Sequence, residues 1–199
     1  LITFREVLSN IRYFGVQPEN NIVVFGCGPV GLSFIKFLSL LGVSDVIAVD
    51  IFDDKLEAAK ERGATRTFNS KECDIVKEIR TIYPKGVDYV LDAVGSPFIV
   101  NQAMPLIADR GKVLRYGVPE KEQITIDFSK ADYNWQVIYQ QMPRKREEGE
   151  ATEQVMEWIN DGKLIIKDFI SDYFSFDNAV EAYEKLLDRQ ISKKGIIVF

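Results

Sequence analysis

The chain has 199 residues, is 46% hydrophobic and 28% charged, carries a net charge of −5, and contains no histidine. Those figures fit one sizeable globular domain with room for an appendage. They exclude a basic nucleic-acid stripe, and they exclude any chemistry that needs the chain's own histidine base, His–Asp relay or histidine metal ligand.

No apolar run approaches the roughly 20 residues of a membrane span. The opening LITFREVLSN lacks the basic region and continuous apolar core of a signal peptide. Cys27 and Cys73 are too few for a disulfide framework and suit a reducing compartment. The expectation is a cytoplasmic protein with neither a nucleic-acid nor a membrane partner.

In residues 3–14, Phe4, Val7, Leu8, Ile11 and Phe14 recur at helical spacing, so a helix precedes the first strand. There is no initiating Met and the pattern opens mid-element, as expected of a piece of a longer protein or of a trimmed N-terminus. Residues 22–25 form a short apolar run rich in β-branched side chains, the mark of a buried parallel strand. Gly26, Gly28 and Gly31 follow as G-x-G-x-x-G, and a helix pattern runs over 30–41 to Gly42. A second apolar run, 46–49, ends in Asp50.

The physical reasons for this stretch converge. Gly26 allows a sharp exit from the strand, Gly28 leaves the backbone open to a pyrophosphate, and Gly31 allows close packing of helix on strand. The free N–H groups and dipole of the helix start favour an anion. Asp50 lies 19 residues after Gly31, at the end of the second strand, where a carboxylate accepts the ribose hydroxyls of an adenosine. That carboxylate repels a 2′-phosphate, and Ile51 and Phe52 supply no arginine to hold one, so NAD is favoured over NADP. A rival use of the same turn and carboxylate is S-adenosylmethionine binding. Cys27 reads either as a small filler inside the turn or as a reactive thiol at a helix N-terminus.

After Asp50 the periodicity predicts a helix over 53–62, a strand at 64–68, a helix over 72–82, a strand at 87–91, a helix over 97–108 and a strand at 112–116. This β-α alternation implies right-handed crossovers and a doubly wound, parallel six-stranded Rossmann sheet with helices on both faces. Gly26, Asp50, Ala93 and Gly117 should gather on one rim. Residues 123–128 (QITIDF) alternate and read as an edge strand, and 135–139 as the sixth strand. The charged run 143–150 reads as a solvated turn. Helices are predicted at 151–160 and at 177–189 with Asp177 as N-cap, and the chain closes on an apolar strand. The division drawn from this is a Rossmann domain over 1–142 and a C-terminal helical and strand segment over 143–199.

The stretches VVFGCGPVGLS, IAVDIFDDKLEAAKERGAT, GVDYVLDAVG and GKVLRYGVP, with the tail from Gly162 onward, resemble the medium-chain dehydrogenase/reductase family of zinc alcohol and polyol dehydrogenases. The resemblance implies the NAD-binding domain of a sorbitol-like enzyme that moves a hydride between nicotinamide C4 and a carbinol carbon of a small alcohol or polyol. It implies that zinc and the proton relay belong to a separate N-terminal catalytic domain, and that this chain has no metal or catalytic residues of its own. It implies that Gly26, Gly28, Pro29, Val30 and Gly31 hold the pyrophosphate, and that Asp50 and Lys55 reach the ribose. Ala93, Val94, Tyr116 and Val118 would line the nicotinamide by backbone and side-chain contact. Ile138 and Gln140 would receive the carboxamide through their backbone. Lys194 reads either as a family basic residue at the pyrophosphate or as a solvated lysine. The resemblance further implies a homo-oligomer paired through 124–128, and a closing strand that belongs to the catalytic domain. Two other readings stay open, a stand-alone NAD-sensing regulatory module and a zinc-free, quinone-reductase-like relative.

Overall fold

The computed structural model of the chain describes residues 1–119, 123–188 and 190–199. Two compact units are present, Leu1–Thr152 and Glu153–Phe199. Residues 143–152, assigned above to the C-terminal segment, thus belong to the first unit.

The first unit opens with helix α1 (Ile2–Phe14), which Gly15 ends in the left-handed conformation, φ 76°. Strand β1 (Asn21–Phe25) leads to helix α2 (Pro29–Leu40), and β2 (Asp45–Asp50) to α3 (Asp53–Glu61). Then come β3 (Arg66–Asn69), α4 (Ile75–Ile82), β4 (Val87–Asp92) and α5 (Ile99–Ala103). β5 (Ile107–Arg115) and β6 (Gln136–Tyr139) complete a six-stranded sheet of order β3-β2-β1-β4-β5-β6, parallel throughout. This is the expected doubly wound Rossmann arrangement, with the order reversing between β1 and β4.

Strand pleating sorts the apolar residues to two faces. Val23, Phe25, Ile47, Val49, Val90 and Val113 build one core with Ile79 of α4 and Ala103 of α5. On α1 and α2, Phe4, Val7, Leu8, Ile11, Phe34, Phe37 and Leu38 are buried, with Phe4 and Phe37 edge to face at 5.6 Å. Burial of each such ring contributes about 1.5–3 kcal/mol.

Four expectations need correction. The helix predicted over 97–108 is only one short turn of α5 followed by a 3-10 turn, Met104–Leu106. Pro105 lacks the N–H a longer helix would need, and β5 therefore starts at Ile107, with Arg110 at φ 62° where the pairing with β4 shifts register. Residues 123–127 pair with no strand. β6 occupies the edge of β5 instead, and the Asn101 side chain takes two of the segment's backbone groups: its Nδ2 donates to Thr125 O at 2.7 Å and its Oδ1 accepts from Asp127 N at 2.8 Å.

The charged run 143–150 is not a turn, because helix α6 (Lys145–Asn160) begins inside it. Glu147 Oε2 accepts the Arg144 N–H at 2.8 Å and, with Glu148, places negative charge in the first turn. Asp177 does not cap the next helix. It lies in a 3-10 turn, Phe176–Asn178, and α7 (Ala179–Leu187) starts after Asn178 with no side-chain cap. Residue 189 of the predicted helix lies outside the described residues.

In the second unit, β7 (Ile170–Ser175) and β8 (Lys194–Val198) form a two-stranded parallel sheet. Its small core includes Trp158, Leu164, Phe169, Phe174 and Ala182. β8 is the expected closing strand. β7 was not foreseen.

Candidate functional site

The carboxyl ends of β1, β2, β4 and β5 form one rim, and the glycine turn lies at its centre. Gly26 takes φ 93° and donates its N–H to Val49 O at 2.8 Å, so the chain bends out of β1 while still tied to β2. A Cβ on Gly31 would lie 1.8 Å from Gly26 O, and one on Gly26 would lie 2.6 Å from Val94 Cγ2. At Gly31 the clash is with backbone and excludes any side chain, while at Gly26 a side chain would have to displace Val94 and adopt a strained φ of 93°. A Cβ on Gly28 would meet nothing within 4 Å, which leaves open space over the helix start.

Helix α2 begins there, with Gly28 as N-cap and Pro29 in its first turn. It has no side-chain cap and no acidic residue in that turn. Pro29 has no N–H to satisfy, and its ring pre-sets the helical φ. The amides of Val30 and Gly31 fall among the helix-start donors that have no acceptor within the helix. An anion is the complementary partner for such an end.

Asp50 closes the turn from the β2 side. Its Oδ2 accepts the Cys27 N–H at 2.7 Å, and its Oδ1 accepts those of Ile51 at 2.7 Å and Phe52 at 3.2 Å. A carboxylate offers about four acceptor positions, so capacity remains on Oδ2 for a hydroxyl donor. Cys27 is fully buried, and its thiol is pushed far above the ordinary range by burial and by the Asp50 charge, against the opposing Lys55 charge. The thiolate is suppressed, which decides for the filler reading and against a reactive thiol.

Beside Asp50, Phe52 is 44% exposed. Lys55 Nζ and Lys71 Nζ each lie 4.8 Å from its ring centroid. Lys71 was missed in the sequence because it comes from the turn after β3, and only the β2–β3 pairing brings it here. A cavity of about 430 Å³ opens next to this corner, lined by Phe25, Ser70, Ile75, Val76, Asn101 and Pro105 among others. Ser70 N–H donates to Asp50 O at 3.0 Å, which joins the cavity wall to the end of β2.

At the other end of the rim, Ala93 is half-buried and Val94 and Val118 are exposed. Tyr116 departs from expectation. Its ring packs edge to face on Phe34 at 5.0 Å, and its hydroxyl bonds the Glu6 carboxylate of α1. Burial, followed by Glu6, pushes that hydroxyl up to about 12. The side chain is committed to the interior, so only its backbone faces the rim, and its carbonyl accepts Gln141 Nε2 at 3.0 Å. Ile138 lies opposite Leu114 in β6, and Gln140 N–H donates to Arg115 O at 3.2 Å; both residues are half-buried. Lys194 begins β8 in the second unit.

Residues 29–161 match the family model described as zinc-binding dehydrogenase. The chain belongs to this family. It is 28% identical over 173 residues to sorbitol dehydrogenase of Bacillus subtilis (strain 168), covering 86% of this chain and 48% of that protein. It is 31% identical over 170 residues to D-xylulose reductase of Saccharomyces cerevisiae, covering 82% of this chain and 46% of that protein. The fold matches that of the alcohol dehydrogenase TADH from Thermus sp. ATN1 with a TM-score of 0.86 at 22% identity, over 98% of this chain and 56% of that one. The chain spans about half the length of the curated relatives it matches.

This zinc-binding dehydrogenase sequence is thus of an oxidoreductase family, and that membership does not favour the adenosylmethionine or stand-alone regulatory readings. Among the described residues no three His, Cys, Asp or Glu side chains are grouped to hold a metal ion, and the sequence has no histidine. The described residues therefore offer no ligand set that fits a zinc ion. No described helix is long and apolar enough to cross a membrane.

Proposed function

We propose that this chain binds NAD(H), as the cofactor-binding part of a polyol or alcohol dehydrogenase acting on a small-molecule CH–OH substrate. The observation that carries the reading is the uncapped start of α2 beneath the open face of Gly28, with the Asp50 carboxylate beside it. The amides of Val30 and Gly31 bind the pyrophosphate, with Gly26 and Pro29 holding their direction. Asp50 accepts a ribose hydroxyl on Oδ2, and Lys55 contributes positive charge next to it. The 430 Å³ cavity takes the adenine between Phe25 and the α4 side chains. Ala93, Val94, Val118 and the backbone of Tyr116 receive the nicotinamide, and the backbone of Ile138 and Gln140 its carboxamide.

When bound, the nicotinamide supplies or accepts the hydride. The chain's own part is to fix the ring and to pay in advance the orientational entropy of transfer. With no histidine and no metal-ligand cluster among the described residues, these 199 residues are not expected to turn over an alcohol by themselves. Asp50 also underlies the preference for NAD over NADP, since a 2′-phosphate would meet its charge.

Calorimetric titration of the chain with NADH, NADPH and ADP-ribose tests this reading. Saturable one-site binding of NADH and ADP-ribose, with NADPH weaker, is expected. Failure of both to bind overturns it. We also propose that a second copy pairs along 124–128, where an extended segment lies next to an exposed Phe128; sedimentation velocity of an Ile124→Lys variant, expected to run as monomer, checks it.

A further inference from the structure

Beneath the nicotinamide end of the site lies an ion pair that the cofactor reading does not use. Asp92 ends β4, Arg115 ends β5, and the strand register sets them side by side. Their side chains are 0% and 6% exposed. Arg115 Nε donates to Asp92 Oδ2 at 3.2 Å, and its Nη2 donates to Gly95 O at 3.3 Å. Asp92 Oδ1 accepts the N–H groups of Val94 at 3.0 Å and Gly95 at 2.8 Å. The main-chain carbonyl of Asp92 accepts those of Tyr116 at 3.0 Å and Gly117 at 2.9 Å.

These two residues thereby hold both strand-end turns of the nicotinamide side. The turns also interlock. A Cβ on Gly95 would lie 1.9 Å from Val118 O, and one on Gly117 would lie 2.1 Å from Gly95 N. Val94, in turn, packs on Gly26 of the glycine turn.

An ion pair is a poor device for stability alone. Its desolvation offsets most of its attraction, and apolar side chains of similar volume often do as well. The residues that precede the pair on the same strands, Val90, Leu91, Val113 and Leu114, are all buried and apolar. What a guanidinium does and a leucine cannot is bind a carboxylate and a carbonyl at once in a fixed fork. Burial raises the Asp92 carboxyl, while the Gly95 and Val94 amides and then Arg115 act against that rise. Without Arg115 one oxygen of a buried carboxylate loses its partner, and the turn it organises loosens.

We propose that Arg115 is a positioning residue: clamped between Asp92 and Gly95 O, it holds the 93–95 turn in the conformation that receives the nicotinamide ring. The proposal rests on the NAD(H) reading above and acts on one end of that cofactor. At the adenosine end, the side-chain bonds of Asp50 go to Cys27, Ile51 and Phe52, while those of Arg115 go to Asp92 and Gly95; the two ends are linked through Phe25, the β1 partner of Asp92.

The test is saturation-transfer NMR of the full chain with NADH, alongside calorimetry with ADP-ribose, which lacks the nicotinamide. In the wild type, transfer should reach both the adenine and the dihydronicotinamide protons. Arg115→Met should lower transfer to the nicotinamide protons at least about fivefold relative to adenine H8, as expected for loss of charge-assisted hydrogen bonds. ADP-ribose affinity should fall by clearly less than the nicotinamide transfer, within about threefold, because Asp50 and the start of α2 are not bonded to Arg115. Arg115→Lys, which keeps the charge beside Asp92, should recover part of the nicotinamide signal. If Arg115→Met does not fold, the pair Asp92→Asn with Arg115→Met removes the unpaired charge and should give the same selective loss. Equal loss at both ends, no loss at either, or a wild-type signal at adenine alone overturns the proposal. Absence of ADP-ribose binding to the wild type is the failure of the NAD(H) reading instead.

Discussion

Gly28 and Gly31 lie in one turn, yet a methyl group does different harm at each. At Gly31 the added carbon would meet the Gly26 carbonyl at 1.8 Å, backbone against backbone, so α2 must move off β1. Gly31→Ala should cost about 1–3 kcal/mol in urea unfolding. Gly28 has an ordinary φ of −72° and open space around it. Gly28→Ala should therefore leave stability within about 1 kcal/mol, while its methyl fills the space a pyrophosphate must enter. NADH affinity should drop by more than about tenfold; if it stays put, the pyrophosphate binds somewhere else. Asp50 carries two jobs, pinning the turn through Cys27 N–H and accepting the ribose. Asp50→Asn removes the charge from both. NADH affinity should fall about tenfold or more, the scale of a hydrogen bond to a charged group, with a loss of melting temperature alongside it. A narrowed gap between NADH and NADPH is the further sign, read in the same titrations.

At the scale of elements, legibility followed the kind of force that shaped each one. The strands β1, β2 and β4 are buried on both faces, so their apolar runs had no competing reading. The glycine turn was legible because only residues without side chains meet its contacts. β7 was not, because in ISDYFS only every other residue turns inward and polar ones alternate with them. The start of α6 was hidden for the opposite reason: Lys145, Arg146, Glu147 and Glu148 look like a solvated run, and only the Glu147 bond to the Arg144 N–H reveals a helix start. Arg115 was invisible as a site residue, since its partner Asp92 is 23 positions away and the pairing exists only once β4 and β5 are adjacent. The same logic applies to α4. Asp74 Oδ1 accepts the Val76 and Lys77 N–H groups at 3.0 and 3.2 Å, so the helix starts after Asp74 and not at residue 72 as its periodicity predicts. Asp74→Ala should cost about 1 kcal/mol, seen as a lower urea midpoint with an unchanged slope.

Across the Rossmann unit, tyrosine hydroxyls fasten helices to the sheet, and those of Tyr83 and Tyr116 do so through carboxylates. Tyr83, at the end of α4, donates to Asp45 Oδ2 at 2.6 Å at the start of β2. Tyr116, just past β5, bonds Glu6 of α1. Each is raised from 10.0 to about 12, Tyr83 by burial and then by its bond to Asp45, Tyr116 by burial and then by Glu6. The folded state thus holds each proton more tightly than the unfolded chain. The corresponding stability is fully present below pH 10.0 and is lost as pH rises through 12. For the buried Tyr116 the loss is on the order of 2 kcal/mol; the half-buried Tyr83 contributes less because solvent screens it. Urea unfolding between pH 8 and 12 should therefore show a steep alkaline fall. Lysine side chains in general ionise near the same range, and the phenylalanine variants separate the two causes. Tyr116→Phe should be less stable than wild type at pH 8, where it lacks the bond to Glu6. It should then lose less between pH 10 and 12, so that the two curves converge. Curves that stay parallel across that range would assign the fall to the lysines and leave the tyrosine fastenings without measurable effect.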